Sequence, residues 1–316
     1  MADIHEIVIL GGGPAGLTAG LYAARARMDV ILFEKAMPGG QILVTDRIEN
    51  FPGFPEGVSG PDLAEWMTKQ AAHFGLKTVM AEAKSIEPKK KQSGYFLVKL
   101  EDGSQIKTLS LIAATGAGWN RLGIPGEVEL IGRGVSYCAT CDGPLFRSKE
   151  VVVVGGGDTA LEDGLFLAKF ASKVTIVHRR DRLRATKILQ ERAEANPKIE
   201  MCLDSVATGI AGNSRVEAIK VKNLKTGVAK DIRCDGVFIF IGITPSSDIF
   251  KPIVKTDDKG YIIADDDMKT SCEGIFVCGD VRKKALRQVV TATGDGATAA
   301  VSAQNYVERL KGIEYK

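Results

Sequence analysis

The architecture of this chain follows from the stretch Ile7-Val8-Ile9-Leu10-Gly11-Gly12-Gly13-Pro14-Ala15-Gly16. The four apolar residues predict a buried strand and the glycines a tight turn, while the run from Leu17 to Ala26 predicts a helix. A second apolar run, Val30 to Phe33, predicts the next strand, and Glu34 follows it directly. Strand, glycine turn, helix and strand in this order are typical of a βαβ unit that binds a dinucleotide.

The same pattern occurs a second time at an offset of 144 residues, from Gly11 to Gly155. Its parts are the strand Val151 to Val154, the turn Gly155-Gly156-Gly157-Asp158-Thr159-Ala160, the helix Leu161 to Lys169 and the strand Val174 to Val177. The correspondence needs no insertion and pairs Gly13 with Gly157, Gly20 with Gly164 and Glu34 with His178. One glycine-rich turn is a weak signal, but two in the same context indicate two nucleotide-binding units. The alternative, glycines that only make turns, leaves the matched positions unexplained.

Further apolar runs complete the predicted fold. They are strands at Tyr95 to Leu100, Gln105 to Ala113, Ala218 to Val221, Val237 to Ile241 and Ile275 to Val277, and a helix from Gly294 to Leu310. The tail from Gly260 is too short to fold alone, so we expect it to dock onto the first unit. The predicted class is α/β, with two Rossmann-like three-layer (ββα) nucleotide-binding domains, the second inserted into the first. Residues 1–116 and 245–316 form the first domain, and residues 117–244 form the second.

Composition excludes several classes of protein. The length of 316 residues corresponds to about two domains. The 42 Lys and Arg against 39 Asp and Glu leave a net charge of +3, too little to indicate nucleic acid or a membrane surface as a partner. No apolar run approaches the roughly 18 residues of a membrane-spanning helix. The start, Met1 to Glu6, lacks the features of a secretory signal. Of the six cysteines, only Cys138 and Cys141 are closely spaced. Such usage is typical of a reducing compartment, so we expect a cytoplasmic protein.

The first unit carries an acidic residue at the position that selects the nucleotide. Glu34 lies 18 residues after Gly16, where an acid binds ribose hydroxyls and repels a 2′-phosphate. The first site is therefore predicted to hold FAD or NAD(H) and to exclude NADP(H). Its candidate residues are Gly11, Gly13, Pro14, Ala15, Gly16, Glu34 and Lys35.

The second unit has basic residues where the first has its acid. Here His178-Arg179-Arg180 stands, with Arg184 soon after, and guanidinium groups pair well with a 2′-phosphate. We therefore assign NADPH to this site, with candidate residues Gly155, Gly157, Asp158, Thr159, Ala160, His178, Arg179, Arg180 and Arg184. A basic run more often forms a solvated face or a nucleic-acid patch, but its position inside the βαβ unit favours NADPH.

The segment Cys138-Ala139-Thr140-Cys141 indicates dithiol chemistry. Cysteines at i and i+3 bring two sulfurs to one face of a helical turn, and the start of a helix lowers a thiol pKa. A structural zinc site requires four ligands, usually as two close pairs, and the other four cysteines are scattered, so no metal site is predicted. Asp142 follows as a general acid/base, or else as a turn residue before Gly143-Pro144. Cys202, Cys234, Cys272 and Cys278 are expected to pack as small hydrophobes.

The order and spacing of these motifs resemble the low-molecular-weight thioredoxin reductases of bacteria and archaea along nearly the whole chain. The motifs are Gly11 to Gly16, Gly39-Gly40-Gln41, Glu49-Asn50-Phe51-Pro52-Gly53, Cys138 to Gly143, Gly155 to Ala160, His178-Arg179-Arg180 with Arg184, Gly279-Asp280 and Arg287-Gln288. The resemblance implies FAD in the first domain, with Glu34 on the adenosine ribose. It also implies Gly40, Gln41 and Asn50 beside the flavin, Asp280 on the ribityl chain, and Arg287, Gln288 and Val289 near the ring.

The resemblance further implies how the parts work together. Cys141 lies against the flavin as the charge-transfer thiolate, Cys138 attacks the disulfide of thioredoxin, and Asp142 is the acid. It implies a homodimer, and a rotation of one domain on hinges near Ala114 to Gly118 and Gly242 to Pro245.

The sequence leaves two rival functions open. The same fold serves another acceptor, such as a glutaredoxin-like protein, a peroxidase partner or a small-molecule dithiol. A nucleotide-sensing module without catalysis is the rival from another class, against which the intact cysteine pair and Asp142 argue. The basic cluster Arg282, Lys283 and Lys284 is either part of a partner-docking face or plain surface.

Overall fold

The computed structural model describes residues 4–45, 48–88 and 94–313. The strands are β1 (Ile4–Leu10), β2 (Val30–Glu34), β3 (Lys77–Met80), β4 (Ala83–Glu87), β5 (Phe96–Leu100), β6 (Gln105–Ala113), β7 (Ala117–Trp119), β8 (Val135–Ser136), β9 (Glu150–Gly155), β10 (Lys173–Val177), β11 (Ile199–Cys202), β12 (Ser205–Ala211), β13 (Ala218–Asn223), β14 (Ala229–Arg233), β15 (Gly236–Phe240), β16 (Ile243–Pro245) and β17 (Ile275–Val277). The helices are α1 (Pro14–Arg25), α2 (Gly60–His73), α3 (Ala139–Asp142), α4 (Asp158–Leu167), α5 (Lys187–Glu194) and α6 (Val289–Lys311). Short 3₁₀ turns span Gly40–Val44, Gly143–Phe146 and Gly279–Val281.

The chain divides into two compact units. The first consists of Met1–Thr45, Phe51–Gly118 and Thr244–Lys316, and the second of Asp46–Asn50 and Trp119–Ile243. The chain passes between them in β7 and β16, which form a separate two-stranded sheet.

The sheet of the first unit has the strand order β3-β2-β1-β6-β5-β4, and β17 also pairs with β6. The strands β1, β2, β3, β6 and β17 are parallel, while β4, β5 and β6 form antiparallel pairs. In register, Leu10 of β1 lies beside Phe33 and Ala113, and Ala113 lies beside Val277. The carboxyl ends of four parallel strands therefore meet at one edge, where open α/β sheets bind ligands.

Both faces of this sheet are buried. Along β1, Ile7 and Ile9 belong to the core that includes residues of α1 and α6, while Val8 and Leu10 belong to the core on the other face. That second core includes Phe250, Val254 and Ile262 from the tail of the chain. A parallel strand covered on both faces has the continuous apolar sequence seen in β1.

The second unit repeats this plan with a sheet of order β11-β10-β9-β15-β8, in which all pairs are parallel. The strands β12, β13 and β14 form an additional antiparallel sheet. At the carboxyl edge, Val154 of β9 lies beside Val177 of β10, and Gly155 lies beside Phe240 of β15. The α/β class with two Rossmann-like parallel sheets is confirmed.

Three predicted helix starts are wrong by three or more residues. The helix α1 begins at Pro14, three residues before the predicted Leu17. The helix α4 begins at Asp158, three residues before the predicted Leu161, because the glycine turn leads directly into it. The helix α6 begins at Val289, five residues before the predicted Gly294. Its start is fixed by Thr291, whose hydroxyl accepts a hydrogen bond of 3.2 Å from the backbone N–H of Gln288. Within the described residues, none of the helices combines the length and apolarity needed to cross a bilayer.

Candidate nucleotide and disulfide sites

The first glycine turn is a tight backbone cradle beside Glu34. The φ of Gly11 is +110°, and a Cβ there would overlap the carbonyl oxygen of Ala114, so only glycine fits. The backbone N–H of Gly12 donates to Oε2 of Glu34 at 2.6 Å, and the N–H of Ala36 donates to Oε1 at 3.1 Å. The carboxylate is thus fixed at the carboxyl end of β2, directly beside the turn, and Lys35 follows it as an exposed residue.

The second glycine turn has the same construction around His178. Gly155 has a φ of +157°, and a Cβ there would lie 2.5 Å from the carbonyl oxygen of Phe240. A Cβ on Gly156 would overlap the His178 ring, just as a Cβ on Gly12 would lie 3.0 Å from Cβ of Glu34. The predicted correspondence between Glu34 and His178 is therefore spatial as well as sequential.

Both turns leave open space at the helix start. Gly13 and Gly157 precede α1 and α4 and have extended backbones. Chain neighbours aside, no heavy atom of the described residues lies within 4 Å of a Cβ placed on either glycine. Because glycine has no side chain to cap a helix, the first N–H groups of α1 and α4 are available to an anion. A pyrophosphate fits both positions. Asp158, the first residue of α4, directs its Oδ1 to the N–H of Thr186 at 2.7 Å.

His178 is buried between the second turn and a set of arginines. Burial, and then the charges of Arg184, Arg180 and Arg179, lower the pKa of His178, so the ring is neutral at pH 7. The guanidinium groups of these arginines belong to exposed residues, and in the described part of the chain none of them forms an ion pair. Nε2 of His178 is buried and has no hydrogen-bond partner among the described residues. This group of residues fits an anionic ligand such as a 2′-phosphate.

The pKa of His178 predicts a pH dependence of stability. Because its folded pKa lies below the unfolded value of about 6.5, the unfolded chain binds more protons between these two values. The contribution of His178 to the free energy of unfolding is therefore fully present above about pH 6.5, and it is lost as the pH falls toward the folded pKa. We expect the melting temperature of His178→Gln to fall less between about pH 7.5 and pH 5.5 than that of the wild type.

The control is His73→Gln, which removes an exposed histidine of α2. Thermal unfolding at several pH values measures the effect. Equal pH slopes for the wild type and His178→Gln would contradict the assignment.

The predicted cysteine pair forms a disulfide at the start of α3. The Cα atoms of Cys138 and Cys141 are 5.3 Å apart, and both residues are half-buried. Cys138 is the N-cap of α3, and its Sγ accepts a hydrogen bond of 3.2 Å from the N–H of Cys141. The hydroxyl of Thr140 lies 3.4 Å from the same sulfur. Donors around Sγ favour the thiolate once the disulfide is reduced. Asp142 is the last residue of α3, and its N–H donates to the carbonyl of Cys138 at 3.2 Å.

The remaining cysteines lie outside this chemistry. All four pack as small hydrophobes, as predicted: Cys234 and Cys278 are buried in the cores, and the half-buried Cys202 and Cys272 pack against them. Burial raises the pKa of Cys234 to about 12, so this thiol stays protonated. Among the described residues, no group of three or more His, Cys, Asp or Glu is arranged to hold a metal ion.

Other candidate residues are placed by local elements. Gln41 lies in the turn Gly40–Val44 and donates to the carbonyl of Ala117. The guanidinium of Arg287 stacks over the Tyr261 ring at 4.1 Å, and its Nε donates to the carbonyl of Asp280 at 3.4 Å. Gln288 is the N-cap of α6, and Val289 is its first residue. Asn50 is exposed, and it is the last residue of the segment Asp46–Asn50 that belongs to the second unit.

Asp280 tests whether FAD fits the first unit. It follows Gly279 after β17, at the sheet edge that also carries the first glycine turn. Its Oδ1 is buried, and no described residue provides a hydrogen bond to it. Burial raises the pKa of this carboxyl, and the charges of Lys284 and Arg287 oppose the rise. A buried acceptor in need of a donor fits a hydroxyl group of the cofactor, so the residues of this unit fit FAD.

The basic cluster after Asp280 corrects the sequence analysis. Arg282 and Lys284 belong to neither a docking face nor plain surface, because both pair with the buried Asp295, at 3.1 and 3.0 Å. Only Lys283 is exposed. Asp295 was missed from sequence, although an acid between two glycines in an otherwise uncharged helical stretch, Thr291 to Ala303, is the available signal.

The chain is similar to proteins of known family. The family model described as pyridine nucleotide-disulphide oxidoreductase matches residues 5–296. A thioredoxin reductase of Peptoclostridium acidaminophilum is 48% identical over 314 residues, which cover 98% of this chain and 98% of that relative. A thioredoxin reductase of Bacillus subtilis (strain 168) is 46% identical over 309 residues, covering 98% and 96%. The crystal structure of thioredoxin reductase from Streptococcus pyogenes MGAS5005 has a TM-score of 0.93 at 45% identity and covers 98% of this chain and 100% of its own.

Proposed function

The chain belongs to the thioredoxin reductases of the pyridine nucleotide-disulphide oxidoreductase family, and from this premise we propose that it reduces the disulfide of thioredoxin with electrons from NADPH. The observation that carries the proposal is the Cys138–Cys141 disulfide at the start of α3. Half-burial leaves the pair within reach of a partner protein, and the donors around Sγ of Cys138 prepare it as a nucleophile.

The exchange with thioredoxin involves two thiols of this chain. In the reduced pair, the Cys138 thiolate attacks one sulfur of the thioredoxin disulfide, forms a mixed disulfide and releases the other thioredoxin sulfur as a thiolate. Cys141 then attacks Sγ of Cys138, restores the Cys138–Cys141 disulfide and releases the second thioredoxin thiolate. Thioredoxin gains two electrons and two protons. The pair supplies the two electrons and the proton of the Cys141 thiol, and the second proton comes from solvent. Asp142, next to Cys141, is the proposed acid that supplies a proton to a leaving thiolate.

The two nucleotide sites are assigned by charge. FAD is proposed for the first unit, held by the Gly11–Gly16 turn, Glu34 and Asp280, and NADPH for the second unit, held by the Gly155–Ala160 turn and the arginines beside His178. The support is the fixed acid at the first turn and, at the second, exposed arginines that form no ion pair with the residues the structure describes. When bound, FAD accepts a hydride from NADPH and passes two electrons to a disulfide.

We also propose a movement of one domain on two hinges, a homodimer and a cytoplasmic location. Glycines with positive φ occur at both chain crossings, Gly116 at +69° and Gly242 at +117°, where the proposed hinges lie. The family resemblance implies a homodimer, which sedimentation of the purified protein tests. Free thiols at the four cysteines outside the pair fit the reducing cytoplasm.

A steady-state assay tests the proposed function. Purified full-length protein with FAD is mixed with NADPH, and NADPH oxidation is followed with oxidised thioredoxin, with a glutaredoxin-like protein and with a small disulfide as acceptors. The proposal expects rapid oxidation with thioredoxin. NADPH oxidation with another acceptor alone would replace thioredoxin as the partner, and no oxidation with any of them would refute a disulfide reductase.

The open positions at the two turns allow a reciprocal test of the nucleotide assignment. Gly13→Ala and Gly157→Ala place a methyl group where no described side chain stands, on backbones that alanine adopts readily. Each is expected to change the free energy of unfolding of the chain without cofactors by about 1 kcal/mol or less. Gly13→Ala should lower FAD content, and Gly157→Ala should raise the KM for NADPH by about tenfold or more.

Each variant is the control for the other, because the turns have the same construction. Flavin absorbance measures FAD content, and initial rates measure the KM. The assignment is wrong if Gly157→Ala releases FAD or if Gly13→Ala affects only NADPH.

A further inference from the structure

Asp295 is a buried acid of α6 at which four hydrogen bonds meet. Its Oδ2 accepts from the backbone N–H of Gly279 at 3.2 Å, from Nε of Arg282 at 3.2 Å and from Nζ of Lys284 at 3.0 Å. Its Oδ1 accepts from Nη2 of Arg282 at 3.1 Å. The side chain of Asp295 is only 9% exposed. Such a buried carboxylate is tolerated because its charge is fully paired.

This cluster adjoins the start of α1. A Cβ on Gly296, next to Asp295, would overlap the carbonyl oxygen of Ala15, and a Cβ on Gly279 would lie 2.8 Å from Cβ of Ala15. The helix α6, the turn Gly279–Val281 and the first turn of α1 therefore meet at Ala15. Through the N–H of Gly279, Asp295 fixes the turn that carries Asp280 against the first glycine turn.

Lys284 lies between two carboxylates. Its Nζ is 3.0 Å from Oδ2 of Asp295 and donates to Oγ1 of Thr291 at 3.3 Å. The same Nζ is 3.7 Å from Oδ1 of Asp280, too far for a good hydrogen bond. The Lys284 side chain is only 6% exposed, so its ammonium depends on protein groups for its partners. If Asp295 lost its charge, the nearest carboxylate for this ammonium would be Asp280.

We propose that Asp295 is a positioning residue for FAD: it retains Lys284 and fixes Gly279, so that Oδ1 of Asp280 stays available to a hydroxyl of the cofactor. The inference rests on the proposed function, because it takes FAD as the ligand of the first unit. In this proposal, Arg282 and Lys284 pair with Asp295 inside the protein. Asp295 supports the cofactor site by holding Lys284 and Gly279, not by touching the cofactor.

The test is a double-mutant comparison of FAD affinity in the full-length protein. FAD release on serial dilution is followed by the rise of flavin fluorescence, and the melting temperature of each variant is measured in parallel. Asp295→Asn is expected to raise the Kd for FAD by about tenfold or more, since Lys284 then pairs with Asp280. The double variant Asp295→Asn with Lys284→Met should regain most of the lost affinity, because the competing ammonium is gone.

A purely structural role for Asp295 predicts the opposite, since a second lost contact would weaken FAD binding further. Asp266→Asn, an exposed acid of the same unit, is the matched control and should leave the Kd unchanged. If Asp295→Asn does not fold, Asp295→Ser with and without Lys284→Met repeats the comparison. An unchanged Kd for the single variant, or no recovery in the double, overturns the inference. Failure of the wild type to bind FAD would instead refute the proposed function.

Discussion

Cys138→Ser is expected to reduce NADPH oxidation with thioredoxin by on the order of 10³-fold or more. A serine hydroxyl is protonated at neutral pH, is a poor nucleophile toward sulfur and cannot form a disulfide with Cys141. With ferricyanide, a small oxidant that needs no thiol, NADPH oxidation should continue. The loss is therefore confined to the step that uses the cysteine pair. Stopped-flow or steady-state absorbance of NADPH measures both reactions.

Cys141→Ser separates the roles of the two cysteines. It should abolish turnover equally, but it retains the Cys138 thiolate beside its donors and lacks the thiol that resolves the mixed disulfide. A covalent complex with thioredoxin should accumulate and disappear on addition of dithiothreitol. Cys202→Ser is the control, since it removes a half-buried free thiol of the same unit and should retain full activity.

Two results would contradict this assignment. Full turnover of Cys138→Ser with thioredoxin would remove Cys138 from the reaction. A covalent complex with Cys138→Ser in place of Cys141→Ser, seen as a shifted band on a non-reducing gel, would exchange the two roles.

The double variant Arg179→Gln with Arg180→Gln is expected to raise the KM for NADPH by about 10²-fold and to leave the KM for NADH nearly unchanged. Each guanidinium contributes a charge-assisted hydrogen bond to the 2′-phosphate that NADH lacks, and such a bond is worth roughly 1.5–3 kcal/mol. Both side chains are exposed, so the variant should fold normally. The ratio of kcat/KM for the two nucleotides is the quantity to measure.

Arg182→Gln is the matched control for this pair. Arg182 is exposed in the same loop. Its charge does not enter the lowering of the His178 pKa, which arises from burial first and then from the charges of Arg184, Arg180 and Arg179. The nucleotide ratio of Arg182→Gln should stay close to that of the wild type. Equal losses for NADPH and NADH in the double variant would contradict a 2′-phosphate site.

Much of the fold is readable from local pattern. The strand β6 has the predicted bounds, Gln105–Ala113, because an apolar run between turn residues fixes both ends. The two βαβ units are found because glycine turns, unlike most loops, leave a specific sequence trace. The resemblance to thioredoxin reductases is confirmed by relatives at 48% and 46% identity over 98% of the chain. The disulfide between Cys138 and Cys141 follows from their i and i+3 spacing, which shares one helical turn, together with the scatter of the other four cysteines, which argues against a zinc site.

Other features depend on contacts between distant parts of the chain and leave no local trace. The start of α6 at Val289 is set by a single hydroxyl, that of Thr291, within a run that already favours a helix. The cluster around Asp295 joins this helical acid to two loop cations, Arg282 and Lys284, which lie 13 and 11 residues before it in the sequence. Local sequence patterns favour a surface position for Arg282 and Lys284, because most lysines and arginines lie on the surface.

Thiol counting tests the central claim that electrons from NADPH reach the Cys138–Cys141 pair. The FAD-loaded protein is incubated with NADPH under anaerobic conditions, denatured with an alkylating agent and weighed by mass spectrometry. Without NADPH, the four cysteines outside the disulfide should be alkylated, and with NADPH all six should be. Peptide mapping should place the two new labels on Cys138 and Cys141. Four labelled cysteines in both samples would contradict the account.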